Sequence, residues 1–347
     1  VSSDKEKLVE VGKKEGVETF HLEMTRKITP LKDCLAVWKL YKYLKSEKPH
    51  VVHTHTPKAG IVGMLAAKLA GVQHRLHTVA GLPLLETTGI KRQILNAVET
   101  LTYSCATKVY PNSKGLEGII VENKFTRADK LKIIANGSSN GIDTSYFNPE
   151  LIPLSKRKKL KTELNINDED FVFVFVGRVV GDKGINELVS AFKKISKTYI
   201  NSKLLLVGPL ENDLDPLSPI TLKTIEINKQ IISVGYQEDV RPYFAISNAL
   251  TFPSYREGFP NVVMQACAME LPCIVTNING CNEIIINNKN GSVIPVKNAE
   301  NLYVTMKMYL DNQNHISEMK MGSRARIKEK YQRTVVCEAL LDEYKKL

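Results

Sequence analysis

Long hydrophobic runs are missing from this 347-residue chain: the longest uninterrupted one found, Phe171 to Val176, has six residues. A membrane-spanning helix needs roughly 18, so no span is expected. No charged-then-apolar segment opens the chain, so secretion is not expected either. The first residue is Val1 rather than methionine, and sequence removed or absent upstream of it is expected. Cysteine is sparse, with Cys34, Cys105, Cys267, Cys273, Cys281 and Cys337, and no C-x-x-C pair occurs. A chain of this length builds its cores without disulfide staples, which points to a reducing compartment, the cytoplasm. Cys267, Cys273 and Cys281 have no histidine close in sequence, and we read them as buried small apolar residues rather than ligands. No short-period repeat and no low-complexity tract are present. With 43 % hydrophobic and 24 % charged residues, the composition excludes a disordered or fibrous chain.

What is abundant is positive charge. Forty-eight basic against 37 acidic residues leave a formal charge of +11. The length fits two domains at roughly 150 residues each. Short β-rich runs alternate with helical patterns almost throughout. In the first half, strands are expected at 17–22, 50–54, 74–79, 107–110 and 132–135. Leu31, Cys34, Leu35, Trp38 and Tyr41 fall at helical spacing before Pro49, and a helix over 58–70 stops at Gly71. The turn-rich stretch Asn140-Gly141-Ile142-Asp143 reads as the linker. Strands are then expected at 171–176, 203–207, 231–234, 249–252, 273–275 and 292–294. The first of these is apolar on both alternating faces, as in a strand covered by helices on both sides. Strand–helix alternation argues for parallel sheets and an α/β class. The reading is two doubly wound domains facing a cleft, over 1–145 and 146–330, with a terminal helix over 331–347 returning to the first. Ligands of such domains bind beyond the carboxyl ends of the strands.

Two segments stand at such ends. Gly177-Arg178-Val179-Val180-Gly181-Asp182-Lys183-Gly184 follows the strongest strand and opens a helix over 184–194. It is neither a Walker loop nor G-x-G-x-x-G, but it sets two cations in a glycine-rich turn, a planar fork and a mobile point charge suited to phosphate oxygens. Pro253-Ser254-Tyr255-Arg256-Glu257-Gly258-Phe259-Pro260-Asn261 follows the strand at 249–252. Pro260 suits a helix start, and the N–H groups at the head of a helix over 260–269 form an anion site. Glu257 is placed to grip sugar hydroxyls, and Gln265 lies about two turns further along the same face.

Together these segments resemble glycosyltransferase family 4, whose fold is GT-B, two Rossmann-like domains. The resemblance spans essentially the whole chain, including Asn140 through Phe147. It is closest to bacterial members that build capsule, O-antigen or lipid-linked oligosaccharide, on the residues from Pro49-His50-Val51-Val52-His53-Thr54-His55 to Gly60 and on His77-Thr78-Val79-Ala80-Gly81-Leu82-Pro83. It implies that Arg178 and Lys183, with Gly177, hold the donor diphosphate. Glu257 and Gly258 would meet the donor sugar, and backbone N–H groups near Phe259, Asn261 and Val262 would help at the phosphate. Gln265 stands where the family's E-x7-E pattern has its second acid, which binds the ribose; it lacks the charge but keeps a hydrogen-bonding oxygen. His77 matches a histidine beside the transferring sugar, so Glu257 and His77 are the implied catalytic residues. The family's first strand and glycine-rich loop are expected before Val1.

Other features have plainer readings. His53 and His55 share one side of a strand but lack a third ligand, and we read them as polar strand-end residues. Asp213-Leu214-Asp215 resembles a metal-binding D-x-D, yet it sits in a proline-rich loop and reads as acidic surface. Lys156, Arg157, Lys158, Lys159 and Lys161 form a solvated helix face or a contact with anionic lipid. Nucleic acid is not expected as a partner, since no stacking aromatics accompany the charge. The expected protein is a cytoplasmic, peripheral retaining glycosyltransferase without metal or cofactor. Its partners would be a nucleotide-sugar donor, a UDP-sugar in the family's usage, and a saccharide or lipid-linked acceptor. A nucleotide-sugar 2-epimerase of the same fold and a basic lipid- or nucleic-acid-binding protein are the alternatives.

Overall fold

Parallel strands carry both halves of the chain, which a computed structural model describes at residues 1–25, 29–211 and 215–347, with the backbone alone at 85 and 86. Two compact units result, Val1–Ile134 with Glu343–Leu347, and Ala135–Asp342. In the first, β1 (Val51–His55), β2 (His74–Val79) and β3 (Lys108–Pro111) form a parallel sheet in that order. The helices of this unit are α1 (Lys5–Glu15), α2 (Pro30–Glu47), α3 (Pro57–Ala70), α4 (Gly89–Cys105) and α5 (Lys114–Glu122). Small residues let α3 lie close on the sheet: a Cβ at Gly60 would stand 2.5 Å from the His77 ring. The helix ends where Gly71 turns left-handed at φ 77°, as its sequence anticipates.

Two expected strands of this unit do not form. Residues 17–22 are extended, but their partner is the short stretch at Ser2, which bonds Phe20 and Leu22 before Asp4 caps α1. Residues 132–135 meet β3 through a single bridge, Val109 with Leu131, and Ala135 then leaves the extended region at φ 50°.

The second unit holds β4 (Phe171–Val176), β5 (Ser202–Val207), β6 (Ile231–Ser233), β7 (Ala249–Phe252), β8 (Cys273–Thr276) and β9 (Gly291–Ile294). All pairings are parallel, in the order β6-β5-β4-β7-β8-β9. Its helices are α6 (Leu154–Glu163), α7 (Ile185–Thr198), α8 (Pro219–Ile227), α9 (Arg241–Ala245), α10 (Asn261–Ala268), α11 (Cys281–Ile284), α12 (Ala299–Asp311) and α13 (Gln313–Lys330), and α14 (Arg333–Tyr344) starts in it and ends in the first unit. Phe171 through Phe175 are buried on both faces of β4, and Phe192 of α7 and Phe244 of α9 are buried in the same core. Each such phenylalanine contributes about 1.5–3 kcal/mol through burial. Cys267, Cys273 and Cys281 lie in this core, Cys105 is buried in the first unit, and Cys34 and Cys337 are exposed.

The Asn140–Asp143 stretch is a fixed part of the second unit rather than a free linker. Ile142 N–H donates to the Tyr331 carbonyl at 2.8 Å, and Arg333 N–H donates to the Ile142 carbonyl at 2.9 Å. The final residues count with the first unit, where the Tyr344 hydroxyl lies 2.5 Å from His53 Nδ1 and Glu343 takes Lys132 and the Tyr110 hydroxyl. Among the described residues no helix is long and apolar enough to cross a membrane.

Candidate active site

The chain builds β4, β5 and β6 toward one edge of the larger sheet, then returns to lay β7, β8 and β9 on the other side of β4. The strand order therefore reverses between β4 and β7, and at such a point the flanking loops part and leave a crevice. The loop after β4 is the Gly177–Gly184 segment, and the loop after β7 is the Pro253–Pro260 segment. Both expected phosphate and sugar segments thus meet at one switch point.

Side chains join the two loops. Lys183 Nζ forms an ion pair with Glu257 Oε1, both groups more than four-fifths buried. Ser254 Oγ donates to the same oxygen at 3.1 Å. Both contacts fall on Oε1, so Oε2 of Glu257 is the oxygen left for a ligand. Arg256 pairs with Asp182 at 3.1 Å, and Tyr255 N–H donates to the Asp182 carbonyl at 2.9 Å. Arg178 lies half-exposed against Glu211 at 3.0 Å, a contact that a phosphate oxygen could replace at little loss because both groups reach water. Asn261 opens α10, one residue later than expected, with Pro260 as its N-cap. Gln265 is half-buried on that helix.

Residues that the sequence did not single out hold these loops. Asp215 was expected at an acidic surface, but its carboxylate accepts the Asp182 N–H, and its carbonyl accepts the Gly181 N–H at 3.2 Å. The backbone of the cation loop offers donors that a nearby carboxylate satisfies, so Asp215 is a structural anchor. Asp213 and Leu214 lie outside the described residues. Gly280, at φ 71°, braces the turn before α10: a Cβ there would stand 2.7 Å from the Gly258 carbonyl and from Phe259 Cα. An isolated glycine far along the chain carries no local sign of such a contact.

His77 lies in the other unit and is 2 % exposed. Thr54 Oγ1 is 2.8 Å from Nδ1, and the ring packs beside Gly60 and Tyr103. The imidazole lies between β1, β2 and α3. Burial first, then the neighbouring His55, pushes its pKa down to about 4 from 6.5. His53, half-buried and close to His55, is pushed down to about 3 by desolvation first and then by His55. Among the described residues no group of three or more metal-ligating side chains occurs.

These shifts have a defined sign. Below pH 6.5 the unfolded imidazoles take up protons that the folded ones refuse, so the stability contributed by these two histidines falls as pH drops from about 6.5 toward 3 and is flat above 6.5. His77 alone accounts for about 3 kcal/mol of that loss. Hydrogen exchange of the β1 and β2 amides between pH 7 and 4 measures it; protection independent of pH there would contradict the enclosure of His77.

Two Rossmann-like sheets, one carrying paired cations, a carboxylate and a helix head at its switch point, define a GT-B protein. Residues 156–328 match Glycosyl transferases group 1, and residues 4–137 match a glycosyl transferase 4-like domain. The chain belongs to this glycosyltransferase family. It is 30 % identical to the capsular polysaccharide biosynthesis glycosyltransferase CapM of Staphylococcus aureus, across 93 % of this chain and 83 % of that protein. It is also 30 % identical to the UDP-Gal:alpha-D-GlcNAc-diphosphoundecaprenol alpha-1,3-galactosyltransferase of Escherichia coli, across 80 % and 70 %. Among solved structures, HepE of Anabaena in complex with UDP superposes with a TM-score of 0.80 at 16 % identity, covering 98 % of this chain and 89 % of that one.

Proposed function

We propose that this glycosyltransferase moves a sugar, with retention of configuration and without a metal, from a UDP-linked donor to a saccharide or lipid-linked saccharide during assembly of a bacterial surface polysaccharide. The observation that carries the reading is the meeting of Arg178, Lys183, Glu257 and the head of α10 around the β4–β7 switch point. As the donor bond breaks, positive charge grows at the anomeric carbon and negative charge on the departing diphosphate. Lys183 and Arg178 meet that negative charge as it develops, and the free N–H groups of the first turn of α10 add to it. Glu257, fixed through Oε1, presents Oε2 to the sugar. The names of the Staphylococcus and Escherichia relatives support the capsule and lipid-linked acceptor classes, and the UDP complex of a protein of like fold supports the donor class.

A screen of UDP-, GDP- and ADP-sugars for donor hydrolysis and transfer, repeated after exhaustive EDTA treatment, tests this reading. UDP-sugar turnover that survives EDTA is the expected result. Loss restored by manganese would overturn metal independence, and product from donor alone without hydrolysis would favour the epimerase. Gln265 supplies a finer test. If its amide only reads ribose hydroxyls, it binds donor equally in ground and transition states. Gln265→Ala then raises the donor KM roughly five- to thirtyfold with little change in kcat, and Gln265→Glu is tolerated. A collapse of kcat at unchanged KM in steady-state kinetics would remove the ribose assignment.

A further inference from the structure

The outward face of α2 carries three large apolar side chains, the only tryptophan of the chain among them. Leu31 is 85 % exposed, Leu35 59 % and Trp38 52 %. These residues recur at intervals of four and three, and Lys42 and Lys45 continue the row, so all five share one stripe. Lys32 and Lys39 flank it. The opposite stripe, Ala36, Leu40 and Leu44, is buried in the unit's core. The ammonium of Lys42 sits 3.7 Å from the centroid of Trp38, and Lys32, Lys39, Lys45 and Lys48 make no ion pair among the described residues. The acids of the helix point elsewhere: Asp33 pairs with Lys58 at 2.6 Å, and Glu47 lies at the far end, off the stripe.

An apolar ridge with an aromatic residue, bordered by uncompensated lysines and no carboxylate, matches one kind of partner. Leucine and tryptophan gain by entering the boundary between headgroups and acyl chains, while lysines reach phosphates above it. A protein partner would need a matching acidic groove, whereas an anionic bilayer supplies both layers to any such helix. The basic run of α6 is a weaker candidate. Arg157 is spent on the Ile152 and Pro149 carbonyls, Lys161 on Asp168 at 3.0 Å and Lys159 on Glu163 at 3.9 Å.

We propose that α2 is the membrane-contact element of this protein, lying in the surface of an anionic bilayer through Leu31, Leu35 and Trp38 with Lys32, Lys39, Lys42 and Lys45 on the headgroups. This deepens the reading of a lipid-linked acceptor by naming the surface that would bring the protein to it. Trp38 is the one tryptophan of the chain, so its fluorescence reports this face alone. The experiment mixes the full chain, without donor or acceptor, with phosphatidylcholine vesicles that contain phosphatidylglycerol or lack it. With the anionic lipid, emission should shift to shorter wavelength, brominated acyl chains should quench it, and the protein should sediment with the vesicles. Leu31→Ser with Leu35→Ser should weaken partitioning roughly tenfold to a hundredfold, and Lys39→Gln with Lys45→Gln about tenfold or more. All four residues are exposed, and donor hydrolysis in solution should be unchanged, which separates failure here from failure of the transferase reading. Absence of the shift and of co-sedimentation would overturn the proposal. So would variants that bind vesicles as the parent does, or a self-association in sedimentation velocity that these substitutions abolish, which would give the face to a second copy.

Discussion

Lys183→Ala lowers kcat/KM for sugar transfer by roughly ten- to a hundredfold or more, the most of any substitution in the cation loop. Loss of a charge-assisted hydrogen bond to the leaving diphosphate removes about 1.5–3 kcal/mol of transition-state stabilisation. A second effect adds to it, because Glu257 loses the ammonium that fixes Oε1 and its carboxylate is free to turn from the sugar. The defect should therefore appear in kcat as well as KM. Arg178→Ala should be milder, nearer tenfold, since its guanidinium is half-exposed and shared with Glu211. Glu257→Gln keeps the shape but weakens the ion pair, and depresses kcat with little change in donor affinity. Steady-state kinetics on the three variants measures the order, and wild-type turnover in Lys183→Ala would sink the diphosphate assignment.

Gly184→Ala is expected to destabilise the larger unit by about 3 kcal/mol or more. Gly184 has φ 71° and is the hinge from which α7 starts, and an added Cβ would collide with the Pro253 carbonyl. Carbonyl and hinge belong to the two loops of the site, so relief of the clash pushes Lys183 away from Glu257 and activity falls with stability. Gly235→Ala is the matched control. Its φ is 66°, but a Cβ there meets nothing within 4 Å, so only the conformational penalty of about 1 kcal/mol remains. Urea unfolding of both variants separates collision from backbone strain; equal midpoints would contradict the close approach of Gly184 to Pro253.

The elements that depend on near neighbours were legible before any coordinates. Alternating apolar residues marked β4 and β7 to the residue, Gly71 marked the end of α3, and the position of Arg178, Lys183 and Glu257 just after strands marked them for a ligand. Periodicity and turn chemistry are local properties, and they survive in a linear reading. Contacts between distant segments are not local. That Ala135 would turn left-handed depended on what lay beside it. Asp215 reads as one acid among several until the fold carries it to the Gly181–Asp182 backbone. His77 carries the same letter wherever it stands; burial beside Thr54 and Gly60 decided its low pKa. Residue type and spacing thus determined which side chains bear charge at the strand ends. The strand order of the sheet alone decided that the loops after β4 and β7 face each other, because parallel pairing over long chain separations is selected by burial of whole sheets rather than by any short segment.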